Sequence, residues 1–176
     1  MKRLVLCLLL AGCAATPAPV NRLEADLKGP ASATQVLTQW CADKKLADPA
    51  VIRAVRDKTN VTASPQTRAL LHAGPGEVLR YRRVRLTCGT YVLSEADNWY
   101  RPSQLTPEMN QTLDTTDTSF GTVVKPLNFH RDTLGMHHPQ DSRYILQVRA
   151  VLIAADGSPF SLVVENYTRE LMPGGW

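Results

Sequence analysis

The chain has 176 residues, of which 44% are hydrophobic, and a formal net charge of +4 at pH 7. This length suits one domain with a substantial core, and because Lys2 and Arg3 carry two of the charges, the rest of the chain carries only +2. So small a charge gives no support to a nucleic-acid partner. We see no glycine-rich phosphate loop, and no charge block or internal repeat that would indicate a disordered or repetitive chain.

The first thirteen residues have the order of an export signal. Two cations precede an apolar run from Leu4 to Leu10, which is followed by Ala11, Gly12 and Cys13. The run is too short for a bilayer, which needs about 20 apolar residues, but it suits a cleaved secretory signal. The ending of small residues before cysteine resembles the lipobox of bacterial lipoproteins, which implies cleavage before Cys13 and a lipid on its sulfur. An ordinary signal peptide or a mis-assigned start is the alternative.

A lipid on Cys13 would make the membrane a partner of this protein. Acyl chains contribute about 0.8 kcal/mol per buried methylene, so two or more of them anchor a protein permanently. Ala14 gives no retention signal, which favours a place in the cell envelope on the outer membrane, facing the periplasm. We therefore expect a signal peptide at 1–12, a lipidated tether at 13–30 and one domain at 31–176. The apolar stretch at 20–27 leaves a short helix open as an alternative within the tether.

The cysteine count predicts a disulfide. Cys7 would leave with the signal and Cys13 would carry the lipid, so Cys41 and Cys88 remain. An even remainder outside the cytosol indicates a bridge, which would stabilise the fold by roughly 4 kcal/mol. Two separate buried thiols are the alternative.

Helices are predicted in the first third of the domain. Ser32 or Thr34 is a plausible N-cap for a helix whose apolar residues fall at helical spacing; these are Val36, Leu37, Trp40 and Cys41. Asp48 and Pro49 have the order of a cap and first turn, which predicts a second short helix to Lys58. Residues 60–75 are rich in Thr, Ser, Gly and Pro, so we expect a connection with about one helical turn.

Strands are predicted in most of the remainder. Alternation over 77–90 indicates a long strand, which forms a hairpin with a strand that begins at Tyr91. The alternating runs 144–154 and 160–171 form a second hairpin around the turn of Asp156 and Gly157.

Two shorter segments complete the prediction. Thr106, Pro107 and Glu108 begin a helix, and the segment 120–124 indicates another strand. Helices followed by antiparallel strands, with one helix inserted, give an α+β domain.

Three segments, in a fixed order, carry a family resemblance. They are YRRVRL at 81–86, residues 105–121 ending in TSFG, and residues 157–165 from GSP to VE. Together they resemble the chorismate pyruvate-lyase family and the ligand-binding domains of GntR-type regulators, over about 79–172. The resemblance implies an antiparallel sheet of about six strands flanked by helices, with an internal ligand pocket under helical flaps.

The resemblance also implies site residues and a reaction. The arginine that binds a ligand carboxylate falls on Arg82, the acid on Glu165, and a ligand-contacting backbone group on Phe120 and Gly121. The implied reaction is the elimination of pyruvate from chorismate, which leaves 4-hydroxybenzoate and uses no cofactor.

The chemistry of an arginine on this strand supports a carboxylated ligand. A guanidinium matches a carboxylate with two parallel charge-assisted hydrogen bonds. Arg82 shares a strand face with Val84 and Leu86, and an inward cation needs an anionic partner because an unpaired buried charge costs several kcal/mol. Arg83 becomes the substrate-binding residue if the register is shifted by one. The alternative is that the arginines of this strand face solvent.

Glu165 lies in a run that otherwise indicates a core strand. Burial favours the neutral form of a carboxyl group unless a cation is near, and a neutral carboxyl could protonate the departing enolpyruvyl group. The alternative is a structural ion pair with Arg82, Arg83 or Arg85.

Other chemistries have little support. His137 and His138 are neighbours on a predicted loop, and no cysteine or acid lies at ligand spacing, so we expect no metal. The motif Gly-x-Ser-x-Gly is absent, so the sequence does not favour a hydrolase that uses this motif.

Two functional hypotheses remain, because chorismate is a cytoplasmic compound whereas the signal directs this chain out of the cytoplasm. The first is a lyase-like enzyme for a small carboxylated ring compound, with Arg82 as clamp and Glu165 as acid. The second is a membrane-tethered binding module that holds a small anionic ligand without chemistry. A purely structural role in the envelope is a third interpretation.

Overall fold

The structure is a computed structural model that describes residues 19–172. The predicted signal peptide and Cys13 lie outside the described residues. Five α-helices and six strands occur in the described part. The helices are α1 (Pro19–Lys28), α2 (Ala33–Asp43), α3 (Pro65–Leu70), α4 (Pro107–Thr115) and α5 (Phe120–Val123). The strands are β1 (Ile52–Asp57), β2 (Arg80–Cys88), β3 (Tyr91–Tyr100), β4 (His130–His137), β5 (Tyr144–Ile153) and β6 (Pro159–Thr168).

All six strands form one antiparallel sheet in the order β1-β2-β3-β6-β5-β4. The predicted hairpins are confirmed as β2–β3 and β5–β6. The α+β prediction, an antiparallel sheet of six strands flanked by helices, is confirmed as well.

Helices cover both faces of the sheet. We call the face that carries Val84, Ala96 and Val148 the inner face. Helices α1 and α2 pack on one half of it, and α4 and α5 pack on the other half, around Phe120 and Phe160. Helix α3 lies on the outer face, where Leu71 at its C-terminal end packs on β5 and β6. Among the described helices, none has the length and hydrophobicity needed to cross a bilayer.

Helix α2 begins as the sequence predicts. Ser32 is its N-cap, and the Ser32 side chain accepts a hydrogen bond from the backbone N–H of Gln35 at 3.2 Å. The Gln35 side chain accepts in return from the Ser32 N–H at 2.8 Å. This capping box satisfies two N–H groups that would otherwise lack partners, and it fixes the place where α2 begins.

The helix predicted after Asp48 is wrong, since residues 52–57 form strand β1. Ile52 and Ala54 are buried while Arg53 and Val55 are exposed, which is the alternation of a strand. Strand β1 pairs with β2 along its whole length. The open edge of β2 supplies backbone partners, and this tertiary contact overrides a local helix signal.

The strand predicted at 120–124 is also wrong, because this segment forms the short helix α5 and its C-cap. Phe120 and Val124 are both buried, and the Val124 N–H donates to the Phe120 carbonyl at 3.0 Å. Their spacing of four residues suits a helix.

Residues 19–28, which we predicted as part of the tether, form helix α1. Val20, Leu23 and Leu27 are buried in the main core. Their spacing of three and four residues places them on one helix face, so the alternative of a short helix is the one that the structure contains.

Strand β4 has no counterpart in the prediction. It is an edge strand whose side chains are mostly half-buried or exposed, and its register shifts near Gly135. A polar, irregular edge strand gives only a weak alternation in the sequence.

The predicted disulfide between Cys41 and Cys88 is present and joins α2 to β2. The two Cα atoms are 6.2 Å apart, and both residues are fully buried. The bridge therefore holds the cover helix α2 to the strand that carries Arg82.

We expect that removing this bridge lowers the free energy of unfolding by up to about 4 kcal/mol, because the unfolded chain regains the entropy of a loop of this length. Urea unfolding with and without dithiothreitol measures the effect. The double variant Cys41→Ala/Cys88→Ala should unfold at one midpoint in both conditions. If reduction leaves the wild-type midpoint unchanged, the bridge contributes no stability.

Candidate functional site

A cavity lies between the inner face of the sheet and the first turns of α2 and α5. Its volume is about 50 Å³, and a space of about 150 Å³ adjoins it. The cavity is lined by Ser32, Ala33, Thr34, Arg82, Val84, Leu86, Ala96, Asn98, Ser119, Phe120, Gly121, Phe129, Arg131, Leu152, Val163 and Glu165. Four of these residues also line the adjoining space: Ser32, Gly121, Phe129 and Arg131. A mostly apolar wall with a few polar groups is typical of a small-molecule site.

Arg82 is a buried cation of this cavity. It is only 4% exposed and lies on the inner face with Val84 and Leu86. Its Nη2 donates to the carbonyl of Thr118 at 3.2 Å. Its Nε and Nη1 have no hydrogen-bond partner among the described residues. Two donors of a buried guanidinium are therefore left without an acceptor.

Burial lowers the pKa of Arg82 to about 10, and the neighbouring guanidinium of Arg56 acts in the same direction. The side chain still carries its charge at neutral pH. Tyr100 and the carboxylate of Asp114 act in the opposite direction on this pKa. Because a buried charge without a close counter-charge costs several kcal/mol, we expect an anion bound beside Arg82 to stabilise the protein.

Arg83 does not line the cavity, which corrects its assignment as a substrate-binding residue. Its side chain lies on the outer face, 3.3 Å from Asp97 and 3.4 Å from Glu95. The Tyr81 hydroxyl also donates to Asp97. Because side chains alternate between the two faces of a strand, Arg83 lies on the opposite face from Arg82. The charge of Arg83 is already paired.

Glu165 lines the cavity but is already paired with Arg131. It is 5% exposed, and its Oε2 accepts from Arg131 Nη2 at 2.5 Å and from the Tyr167 hydroxyl at 2.9 Å. The ion-pair alternative is thus present, although the partner lies on β4 and not on β2. Since a cation is near, the condition under which burial keeps a carboxyl neutral is not met.

The Glu165 carboxylate influences the pKa values of its two partners, Arg131 and Tyr167. Burial lowers the pKa of Arg131, but Glu165 and Tyr167 together outweigh burial and raise it above its usual value. Burial and the same carboxylate raise the pKa of Tyr167 well above its usual value. Arg131 therefore stays charged and Tyr167 stays neutral at neutral pH. The sequence did not reveal Arg131, because it lies on the strand that the pattern missed.

Phe120 and Gly121 line the cavity at the start of α5. A Cβ added to Gly121 would lie 2.8 Å from Thr34 Oγ1, so only glycine lets α5 approach the start of α2 this closely. The Phe120 ring packs on Tyr100, with ring centroids 5.3 Å apart. The motif thus closes the cavity by bringing two helix starts together.

Asn98 is a buried polar residue of the cavity that sequence reasoning missed. It is 5% exposed and is the cross-strand partner of Arg82 in the β2–β3 register. Its Oδ1 accepts from the Ser161 hydroxyl at 2.6 Å, whereas its Nδ2 has no partner among the described residues. A signal was available, since Asn98 is polar at an inward position of an alternating strand.

The first turn of α2 adds to the positive character of the cavity. Ala33 and Thr34 line the cavity, and N–H groups at the start of a helix lack acceptors within the helix. The helix dipole is positive at this end. The cavity also has two cationic side chains, Arg82 and Arg131, and only one carboxylate among the residues that line it. Together with the helix start, these charges favour an anionic ligand.

No convergence of metal-binding side chains occurs in the described range 19–172. His138 contacts the Ile145 carbonyl at 2.9 Å and Glu24 at 3.2 Å. His137 ends strand β4 and lines no described pocket at the cavity.

Comparison with known proteins identifies a relative. The chain is 40% identical over 179 residues to the uncharacterized protein y4mC of Sinorhizobium fredii (strain NBRC 101917 / NGR234), with 88% of this chain and 76% of that protein covered. The chain therefore belongs to the same family as y4mC. No family model matches the sequence.

Solved structures show the fold. PhnF from Mycobacterium smegmatis has a TM-score of 0.57 at 14% identity, over 82% of this chain and 67% of that one. The effector domain of PhnF has a TM-score of 0.56 at 12% identity, over 80% of this chain and 90% of that one. This chain therefore shares the fold of PhnF and of its effector domain.

We expect Glu165→Gln to lower the free energy of unfolding by about 3 kcal/mol, because it leaves the buried Arg131 without its counter-charge. Chemical denaturation at pH 7 measures this loss. Glu95→Gln is the matched control on the outer face, where the partly exposed pair with Arg83 should contribute less than about 1 kcal/mol. Equal losses in both variants would contradict a structural role for Glu165.

Proposed function

We propose that this member of the y4mC family binds a small carboxylated ligand in the cavity and performs no chemistry on it. The observation that carries this proposal is the buried guanidinium of Arg82, whose Nε and Nη1 have no partner among the described residues. A ligand carboxylate accepts two parallel hydrogen bonds from one edge of a guanidinium, so it would pair with either Nε or Nη1 together with the second N–H of Nη2. Binding would also remove the penalty of an unpaired buried charge.

The fold supports a ligand-binding role. Ligand-binding domains of GntR-type regulators share it, although a fold by itself does not determine function. The site residues are therefore the stronger argument, and they are a cation, several hydrogen-bond donors and an apolar wall.

A lyase is the second candidate, and the presence of Arg82 and Glu165 in one cavity favours it. Elimination of pyruvate needs a proton donor at the departing group, and the ion pair of Glu165 with Arg131 opposes that role. We therefore expect no release of pyruvate from chorismate in a lactate dehydrogenase-coupled assay. Turnover that Glu165→Gln abolishes would replace the binding proposal with the enzymatic one.

We expect Arg82→Met to raise stability and to abolish ligand binding. Replacing an unpaired buried charge with an apolar side chain of similar length should raise the melting temperature by about 3–8 °C. Calorimetric titration of formate, acetate, benzoate and 4-hydroxybenzoate at constant ionic strength measures binding. Arg83→Met removes the same charge from the outer face and should retain binding.

Two results would contradict this account of Arg82. One is a wild-type protein that binds none of the four carboxylates saturably. The other is an Arg82→Met variant that binds them as the wild type does.

We also propose that the protein is exported and anchored to the outer membrane, facing the periplasm, by a lipid on Cys13. The charged, apolar and small residues that precede this cysteine support the proposal. The disulfide of Cys41 and Cys88 is consistent with an oxidising compartment.

We expect radiolabelled palmitate to label the wild-type protein in a diderm bacterium and Cys13→Ser to abolish the label. Cys7→Ser removes a cysteine from the apolar run of the same signal and should keep the label, because Cys7 is not the acceptor. Fractionation should place the labelled protein in the outer membrane. Label that persists in Cys13→Ser, or that is absent from the wild type, would contradict lipidation.

A further inference from the structure

The cavity contains another polar residue, Asn98, whose amide is held in one orientation by another side chain of the protein. Asn98 and Arg82 are directly opposite each other on β3 and β2, so their Cβ atoms lie about 4.5–5.5 Å apart on the same face. Both side chains line the cavity and both are buried. The Asn98 side-chain carbonyl is thus a neutral acceptor on the strand position directly opposite the unsatisfied guanidinium.

Ser161 keeps that acceptor away from Arg82. The Ser161 hydroxyl is fully buried and donates to Asn98 Oδ1 at 2.6 Å. With its oxygen held by β6, Asn98 has only Nδ2 left for the cavity, and this nitrogen has no partner among the described residues. The arrangement therefore adds an unsatisfied donor beside two others, although a turn of the amide would pair Asn98 with Arg82.

We infer that Asn98, positioned by Ser161, is the second recognition residue of the site, and that Asn98 and Arg82 hold the same oxyanion of the ligand. This inference rests on the proposed function and deepens it. Arg82 Nε and Arg82 Nη1 donate in directions about 120° apart, so one oxyanion can accept from only one of them, and Asn98 Nδ2 supplies the second donor. A carboxylate offers two oxygens to these two donors and a counter-charge to the guanidinium, whereas a hydroxyl or a single carbonyl oxygen offers no charge.

The isosteric variant Asn98→Asp tests the inference, because it replaces the Asn98 donor with a carboxylate directly opposite Arg82 in the register. Ser161 can still donate to one oxygen of the new side chain, and the other oxygen can accept from Arg82. We expect the melting temperature to rise by about 3–6 °C, since the buried cation gains a counter-charge. Benzoate affinity should fall by at least about thirtyfold, since the internal carboxylate occupies the donors and repels the anion.

Asn166→Asp is the matched control. Asn166 lies one residue after Glu165 on the outer face and pairs with Gln147 at 2.6 Å. The same change of charge at this position should leave benzoate affinity unchanged and should not raise the melting temperature.

Two further variants keep the test informative if an internal ion pair perturbs the fold. Asn98→Leu removes the donor without adding charge, and we expect benzoate affinity to fall about tenfold. Ser161→Ala frees the Asn98 carbonyl to accept from Arg82, and we expect a loss of about threefold. A merely structural serine would not change affinity at a distance from the ligand.

The outcomes separate this inference from the proposed function. Asn98→Asp that binds benzoate like the wild type, while Arg82→Met does not, overturns the inference and leaves the proposed function standing. A lower melting temperature for Asn98→Asp together with unchanged affinity in Asn98→Leu also overturns it. If the wild type binds neither benzoate nor acetate, both the proposed function and the inference fail.

Discussion

The rest of this structure depends on a guanidinium that is charged, buried and without an ion-pair partner within 19–172, the range that the structure describes. Arg82 lies among apolar side chains on the inner face and keeps two donors unpaired. Such a group lowers stability, and a destabilising residue is often retained because function needs it. The disulfide, the packed helices α1 and α2 and the paired strands of the sheet stabilise the fold around this position.

The same cavity contains a second buried arginine whose charge is paired, although its Nε also has no partner among the described residues. Arg131 has a carboxylate partner in Glu165, and Tyr167 donates to the same carboxylate. In this protein, a buried arginine with a structural role is thus paired with a carboxylate. The contrast between the two arginines distinguishes a structural ion pair from a cation that awaits a ligand, and it separates a binding site from the acid–base pair of a lyase.

Local signals predicted much of the fold, and tertiary contacts decided the rest. The cap at Ser32 and the turn of Asp156 and Gly157 depend on neighbouring residues alone, so the sequence was sufficient for both. Strand β1 and helix α5 were assigned wrongly because each is short and takes its form from a neighbouring strand or helix. Arg82 could be placed by alternation with Val84, but the partner of Glu165 could not, because it lies on an irregular edge strand.

The most direct test is a crystal structure of the protein grown with benzoate. We expect one carboxylate within hydrogen-bond distance of Asn98 Nδ2 and of either Nε or Nη1 of Arg82, with the Glu165–Arg131 pair intact. Two results would contradict the central claim. One is an Arg82 side chain that leaves the cavity for solvent, and the other is benzoate bound only elsewhere while the guanidinium remains unpaired.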